Sequence, residues 1–265
     1  MPEVELLFLG TGTSAGVPMI GCHCAVCDSD DPHDKRTRPS VVISYGSTRI
    51  LVDVTPEVRL QCVANRVDAI DAVVLTHGHA DHIMGMDDLR RFNAVKNGPL
   101  DIWCEERTFT TVTRCFGYAF KEPDPNSKLF RPQLVRREIN GPFDLFGMKW
   151  TPIRLFHGEM PVLGFRVGNV AYCTDVNRIP PESYPLLENL DVLVLDALTL
   201  KPHATHFSLE QAVTETHRIG AKRTFFTHIA HGLGHAATCS SLPDGVSLAY
   251  DGQRVVSGGN GLLGS

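Results

Sequence analysis

Long apolar runs are missing from this 265-residue chain: none reaches the roughly 20 residues that cross a bilayer, which excludes a membrane-spanning helix. The opening Met1-Pro2-Glu3-Val4-Glu5 has neither the basic region nor the apolar core of a secretory signal, so the cytoplasm is the expected location. An excess of positive charge is also missing. The 25 Lys and Arg are outnumbered by 30 Asp and Glu, giving a net charge of −5, unlike a protein built to grip a nucleic-acid backbone. Basic spots at Lys35, Arg36 and Arg38 and at Arg131, Arg136 and Arg137 read as solvated loops. There is no long Gly/Pro- or Lys-rich insertion to serve as an RNA-holding arm. No repeat, low-complexity block or linker divides the chain, so one domain over residues 1–265 is expected.

What is present is an ordinary soluble composition, 43% hydrophobic and 21% charged, with eight cysteines and twelve histidines. Short β-rich runs recur, among them Val4–Leu9, Val41–Tyr45, Arg49–Val54, Ala72–Thr76, Trp150–Phe156, Gly164–Val167, Val170–Cys173, Val192–Asp196 and Thr224–Thr227. Helical patterns cover Pro56–Asn65 and Glu106–Phe116, and a third starts at Ser208 with Gln211 three residues on and Gly220 closing it. This alternation predicts a layered α/β fold with two sheets and helices outside. His77, His157, Asp175, Asp196 and His228 all stand at or just after a strand, where a rigid sheet supports site-bearing loops.

Thr76-His77-Gly78-His79-Ala80-Asp81-His82 concentrates three histidines and an aspartate in six residues. Imidazole nitrogen and carboxylate oxygen suit zinc, manganese or iron. Four such ligands on one short turn do not fit a single cation with an open position, so a division between two cations is expected. Cys22-His23-Cys24-Ala25-Val26-Cys27 sets three thiols at the spacing of a closed structural zinc site. His231 is the preferred fourth ligand, with His23 and His33 as competitors. The other cysteines, Cys62, Cys104, Cys115, Cys173 and Cys239, read as free and mostly buried.

The His-x-His-x-Asp-His motif at residues 77–82 resembles the signature of the metallo-β-lactamase superfamily. That resemblance implies an αββα sandwich with two central mixed β-sheets flanked by helices. It also implies a ligand set: His77, His79 and His157 on one divalent cation, Asp81, His82 and His228 on the other, and Asp175 between them. Mn2+ and Zn2+ both suit such a site, and the two ions would lie about 3.5–4 Å apart. Aspartate rather than cysteine at position 175 points to the phosphodiesterase, ribonuclease and thioesterase branches.

Leu9-Gly10-Thr11-Gly12-Thr13-Ser14-Ala15-Gly16-Val17-Pro18, the cysteine cluster, Thr227-His228-Ile229-Ala230-His231 and Tyr250-Asp251-Gly252 narrow the resemblance further. They look like the phosphoribosyl cyclic-phosphate phosphodiesterases of the phosphonate-degrading carbon–phosphorus lyase pathway. The implied activity is hydrolysis of a small cyclic phosphodiester by a protein that resembles homodimers. Nucleic-acid and membrane partners are not expected. Asp81 would orient the attacking water besides holding a cation. His206 is expected to protonate the leaving oxygen, with His203 as runner-up, and His203 and His235 are candidate substrate contacts. Asp196 is expected to orient a ligand histidine. The Gly10–Gly16 loop lacks a full Gly-x-Gly-x-x-Gly and reads as a tight turn or an anion nest.

Overall fold

A computed structural model describes residues 3–122 and 129–257. Met1 and Pro2, which open the segment read as lacking a signal, lie outside the described residues. Among the described residues fourteen strands form two seven-stranded sheets. The first six are β1 (Glu5–Gly10), β2 (Ser40–Tyr45), β3 (Thr48–Val52), β4 (Ala72–Val74), β5 (Leu100–Cys104) and β6 (Leu134–Glu138). Then come β7 (Phe143–Leu145), β8 (Met148–His157), β9 (Met160–Val167), β10 (Val170–Cys173), β11 (Val192–Asp196), β12 (Arg223–Thr227), β13 (Val246–Leu248) and β14 (Arg254–Val256). The first sheet runs β14-β1-β2-β3-β4-β5-β6 and the second β13-β12-β11-β10-β9-β8-β7. Both are mixed: β1, β2 and β3 pair antiparallel, and β3 through β6 pair parallel. In the second sheet β7 to β10 are antiparallel and β10 to β13 parallel.

Central strands are apolar on both faces because each face is covered, as expected of covered parallel sheets. In β1, Leu6 and Phe8 turn toward the opposite sheet, meeting Phe165, Tyr172 and Phe225, while Leu7 and Leu9 pack toward the helices. The helices are α1 (Val58–Ala64), α2 (Ala80–Ile83), α3 (Arg90–Lys96), α4 (Glu106–Phe116), α5 (Leu209–Ile219) and α6 (His235–Cys239). The hydrophobic cluster outside the first sheet includes α1, α3 and α4 residues, and that outside the second includes α5 residues. The result is an α/β/β/α sandwich. Helix α5 shows the capping box read from Ser208 and Gln211, and Gly220 ends it at φ 69°. Among the described residues no helix is long and apolar enough to cross a membrane.

The reading of the basic spots as solvated loops needs correction. Arg36 is no solvated loop residue: it is 2% exposed, donating to Thr11 Oγ1 and the Ala249 carbonyl, with His235 Nδ1 3.1 Å away. Arg136 and Arg137 lie on edge strand β6, paired with Glu106, Glu138 and Asp101. All eight cysteines are free, but Cys115 is exposed and Cys239 only half-buried.

Candidate metal centre

Ligand candidates collect at one end of the sandwich because each stands at the end of a strand, just beyond one, or in the short helix that follows β4. The loop after β4 carries His77 and His79 and runs into α2, which holds Asp81 and His82. His157 ends β8, Asp175 stands two residues beyond β10, and His228 directly follows β12. Asp53, Asp175 and His228 have φ of 63°, 54° and 58°. This left-handed backbone costs a non-glycine residue roughly 1–3 kcal/mol and concentrates at functional sites.

Asp175, 2% exposed, is the hub. Its Oδ1 lies 3.3 Å from His82 Nε2, and its Oδ2 lies 3.4 Å from His228 Nε2 and 3.8 Å from His77 Nε2. Asp81 Oδ2 is 3.5 Å from His82 Nε2 and 3.6 Å from His228 Nε2. Two ligands at about 2.1 Å from one tetrahedral cation stand about 3.4 Å apart, so these spacings match coordination edges. One group of atoms within 4.8 Å of one another comes from Asp81, His82, Asp175 and His228; another comes from His77, His79 and Asp175. His157 lies beside the second group, its ring 5.1 Å from that of His79 and 5.8 Å from that of His77. The Nε2 atoms of His77, His82 and His228 are buried with no hydrogen-bond partner. A buried imidazole nitrogen left unpaired is costly, and a cation supplies what is missing.

Neighbouring groups select the ligating tautomers. His157 Nδ1 donates to the Thr205 carbonyl at 2.8 Å, which frees Nε2. His82 Nδ1 donates to Asp53 Oδ2 at 2.7 Å. Asp53 also accepts from the Thr76 amide and hydroxyl, each at 2.8 Å. Having given its proton to Asp53, the Thr76 hydroxyl accepts from His77 Nδ1 at 3.0 Å. One buried carboxylate thus orients a histidine of each ligand group. The sequence reading missed Asp53; its signal was an aspartate inside the otherwise apolar end of the run Arg49–Val54.

The local fields agree with this arrangement. Burial, reinforced by the neighbouring His82, holds His77 well below the usual histidine range, and burial lowers His79 and His157 as well. Burial opposes charge on His82 and His228 too, but the carboxylates, Asp175 foremost, hold His82 well above that range and push His228 up to about 9. Burial works against the Asp175 carboxylate, yet His228 and His82 keep it well below the usual carboxyl range. The pocket therefore favours positive charge beside Asp175.

His206 is buried beside this cluster, its ring 4.5 Å from that of His157 and stacked 4.4 Å from that of His228. Its Nδ1 lies 2.6 Å from Asp196 Oδ2, which also accepts from the Val176 amide. Asp196 therefore holds His206, not a member of the expected ligand set. His203 is exposed, 5.4 Å ring to ring from His206, with Nδ1 toward Thr205. His235 belongs to a separate group: Arg36 bonds its ring, Asp34 accepts its amide, and His33 and Tyr250 pack on it.

Cys22, Cys24, Cys27 and His231 bring their ligand atoms within 4.8 Å of one another. His231 Nδ1 is 3.2 Å from Cys22 Sγ and 3.3 Å from Cys24 Sγ, close to the about 3.5 Å edge of a tetrahedral zinc site. The amides of Met19 and Cys27 point at Cys27 and Cys24 sulfur. A backbone bond from Cys27 and the neighbouring His231 lower the Cys24 thiol to about 6, whereas burial pushes Cys27 up to about 11. The competitors lie elsewhere, His23 beside Asp28 and His33 against Tyr250. In the Gly10–Gly16 loop the amides of Thr11, Gly12, Thr13 and Gly16 all bond protein oxygens, which favours the tight-turn reading. A Cβ on Gly10 would lie 2.0 Å from the Arg38 carbonyl oxygen, so the glycine permits that close approach.

Comparison with known proteins agrees with this geometry. The model of the Beta-lactamase superfamily domain matches residues 48–229. A solved diphosphatase from the PhnP family is 42% identical with a TM-score of 0.90, the match covering 96% of this chain and 97% of that one. The Zn(2+)-bound PqqB from Methylobacterium extorquens shares the fold at 20% identity and a TM-score of 0.77, over 95% of this chain and 99% of that one. A Porphyromonas gingivalis protein named Octanoyltransferase is 35% identical over 263 residues, 98% of this chain and 53% of that protein. The chain thus spans about half the length of that relative.

Proposed function

Because the chain belongs to the metallo-β-lactamase superfamily, in its PhnP-like branch, and is a metal-dependent hydrolase, we propose that it hydrolyses a small cyclic phosphodiester such as 5-phosphoribosyl 1,2-cyclic phosphate. One observation carries the dinuclear reading: Asp175 reaches two separate ligand groups whose buried imidazole nitrogens have no other partner. His77, His79 and His157 would hold one cation and Asp81, His82 and His228 the other, with Asp175 shared. Nitrogen and oxygen donors suit Mn2+ and Zn2+ alike. The 42% identity to a diphosphatase supports attack at phosphorus. The octanoyltransferase name belongs to a protein of which this chain matches about half.

When bound, the two cations supply the Lewis acidity that makes water nucleophilic near neutral pH and screens charge on phosphoryl oxygens. The chain's own residues do the rest. Asp81, 9% exposed, faces the cluster and orients the attacking water. Asp53 and Thr76 hold the ligand histidines in their metal-binding tautomers. Asp196 fixes His206 Nδ1, leaving the opposite side of the ring to face Asp175 and His157 and to protonate the leaving alkoxide. Cys22, Cys24, Cys27 and His231 take a structural Zn2+ that ties the N-terminal loop to the segment carrying His228. The resemblance implies a cytoplasmic homodimer in phosphonate metabolism, acting on a small substrate and not on nucleic acid.

The test is a substrate panel after reconstitution with Mn2+ or Zn2+. It contains 5-phosphoribosyl 1,2-cyclic phosphate, a 2′,3′-cyclic nucleotide, a linear aryl phosphodiester, a diphosphate and a precursor tRNA. The highest kcat/KM is expected for the ribose cyclic phosphate. Preference for the diphosphate or the tRNA, or no turnover of any phosphodiester, would overturn the reading.

A further inference from the structure

The segment 200–204 is an exposed excursion between β11 and α5. Its two ends are zipped together, Leu198 to Phe207 and Thr199 to Ser208. His206 sits at the inner end of this loop, so the loop's path sets where that imidazole stands. Two hydrogen bonds tie the loop to the strand bearing His157 and its turn: the bond from His157 Nδ1 to the Thr205 carbonyl, and one made by Asn177. Asn177 Nδ2 donates to the Ala204 carbonyl at 2.8 Å, while its Oδ1 accepts from the Gly158 amide at 2.8 Å. Its backbone is fixed as well, Asn177 N donating to the Phe156 carbonyl at 2.9 Å. Gly158 has φ 63°, and a Cβ there would lie 3.1 Å from Thr205 Cγ2, so turn and loop touch at this point. A single amide side chain thus joins the turn after His157 to the loop leading into His206.

From this clamp we infer that Asn177 is a positioning residue for the protonation step. It holds the 203–206 loop against the His157 turn, so that His206 meets the leaving oxygen while Asp196 orients its ring. The inference rests on the proposed role of His206. Geometry of this kind matters to rate: a displacement of about 1 Å in a reacting group can cost about 10²-fold. Asn177 is only half-buried, so its replacement leaves the core packing untouched. The oxygen half of the amide can be kept and the donor half removed with Asn177→Asp, which still accepts from Gly158 but faces the Ala204 carbonyl without a proton to give.

The experiment compares two phosphodiesters in Asn177→Ala, Asn177→Asp and His206→Ala, each loaded with Mn2+. One substrate has an alkoxide leaving group that needs a proton; the other has a nitrophenolate that does not. Metal per chain is measured in parallel. Both Asn177 variants should lose about 10²-fold in kcat on the alkoxide substrate and less than about threefold on the nitrophenyl one, following the pattern of His206→Ala. Their metal content should equal that of the parent. If His206→Ala shows this leaving-group dependence and the Asn177 variants lose both activities equally or neither, the inference about Asn177 is overturned alone. A missing metal equivalent in the Asn177 variants would overturn it too, since the loss would then run through His157. If His206→Ala itself shows no leaving-group dependence, the protonation role fails, and the inference with it.

Discussion

Replacing Asp53 by asparagine changes two heavy-atom positions very little and should still cripple metal binding. In the parent protein Asp53 Oδ1 accepts from the Thr76 amide, and Oδ2 accepts from the Thr76 hydroxyl and His82 Nδ1. The Thr76 amide can only donate, so the new side-chain oxygen stays there and the new NH2 group faces Thr76 Oγ1 and His82 Nδ1. A donor opposite Nδ1 stabilises the His82 tautomer that carries its proton on Nε2. That tautomer has no lone pair for a cation beside Asp81, Asp175 and His228. Loss of such an orienting partner costs about 10–100-fold in metal affinity, or about 1.4–2.7 kcal/mol. Titration with Mn2+ or Zn2+ against a chelating dye resolves the binding constants. Asp53→Asn should show this weakening with the fold retained by circular dichroism. Affinities within about threefold of the parent, well below the expected range, would refute the assignment of Asp53 as the group that selects the tautomer.

Other consequences are as direct. His79 is exposed, so His79→Ala should keep its melting temperature yet lose turnover by about 10²-fold or more; near-parent rates would remove His79 from the ligand set. Cys24→Ala should lose one zinc equivalent and melt lower, while its folded fraction keeps the two catalytic cations by elemental analysis. The metal-free protein should have a pH-dependent stability set in part by His228. Its folded value of about 9 lies above the unfolded 6.5, so its contribution is full below pH 6.5 and is lost as pH rises through about 9. His82, also raised, acts in the same direction. Cys24, whose thiol is lowered to about 6, acts in the opposite direction, so denaturant melts should compare the apo parent with apo His228→Ala: the parent's advantage should shrink between pH 6.5 and 9, and an advantage that grows over that window would contradict the electrostatics.

Much of the architecture was legible because covered sheets demand apolar runs. Strands such as β8, β11 and β12 announce themselves by composition, and α5 by its capping residues. What escaped was short or one-sided. Strand β6, LVRRE, places two arginines outward in ion pairs on an edge and so resembles a loop. Strands β7, β13 and β14 have three residues each, too few for a period to show. The ligand histidines were visible because three within six residues cannot be packing. Asp53 was not, since an aspartate after an apolar strand has the same appearance whether it starts a turn or orients two histidines. Arg36 was misread for a similar reason: its partners Thr11, Ala249 and His235 are far away in sequence, and only the fold brings them together.

Anomalous diffraction from crystals grown with excess Mn2+ tests the central claim most directly. Two peaks about 3.5–4 Å apart, both within bonding distance of Asp175 and flanked by His77, His79 and His157 on one side and Asp81, His82 and His228 on the other, are the expected result. A single peak, or two peaks that do not share Asp175, would contradict it.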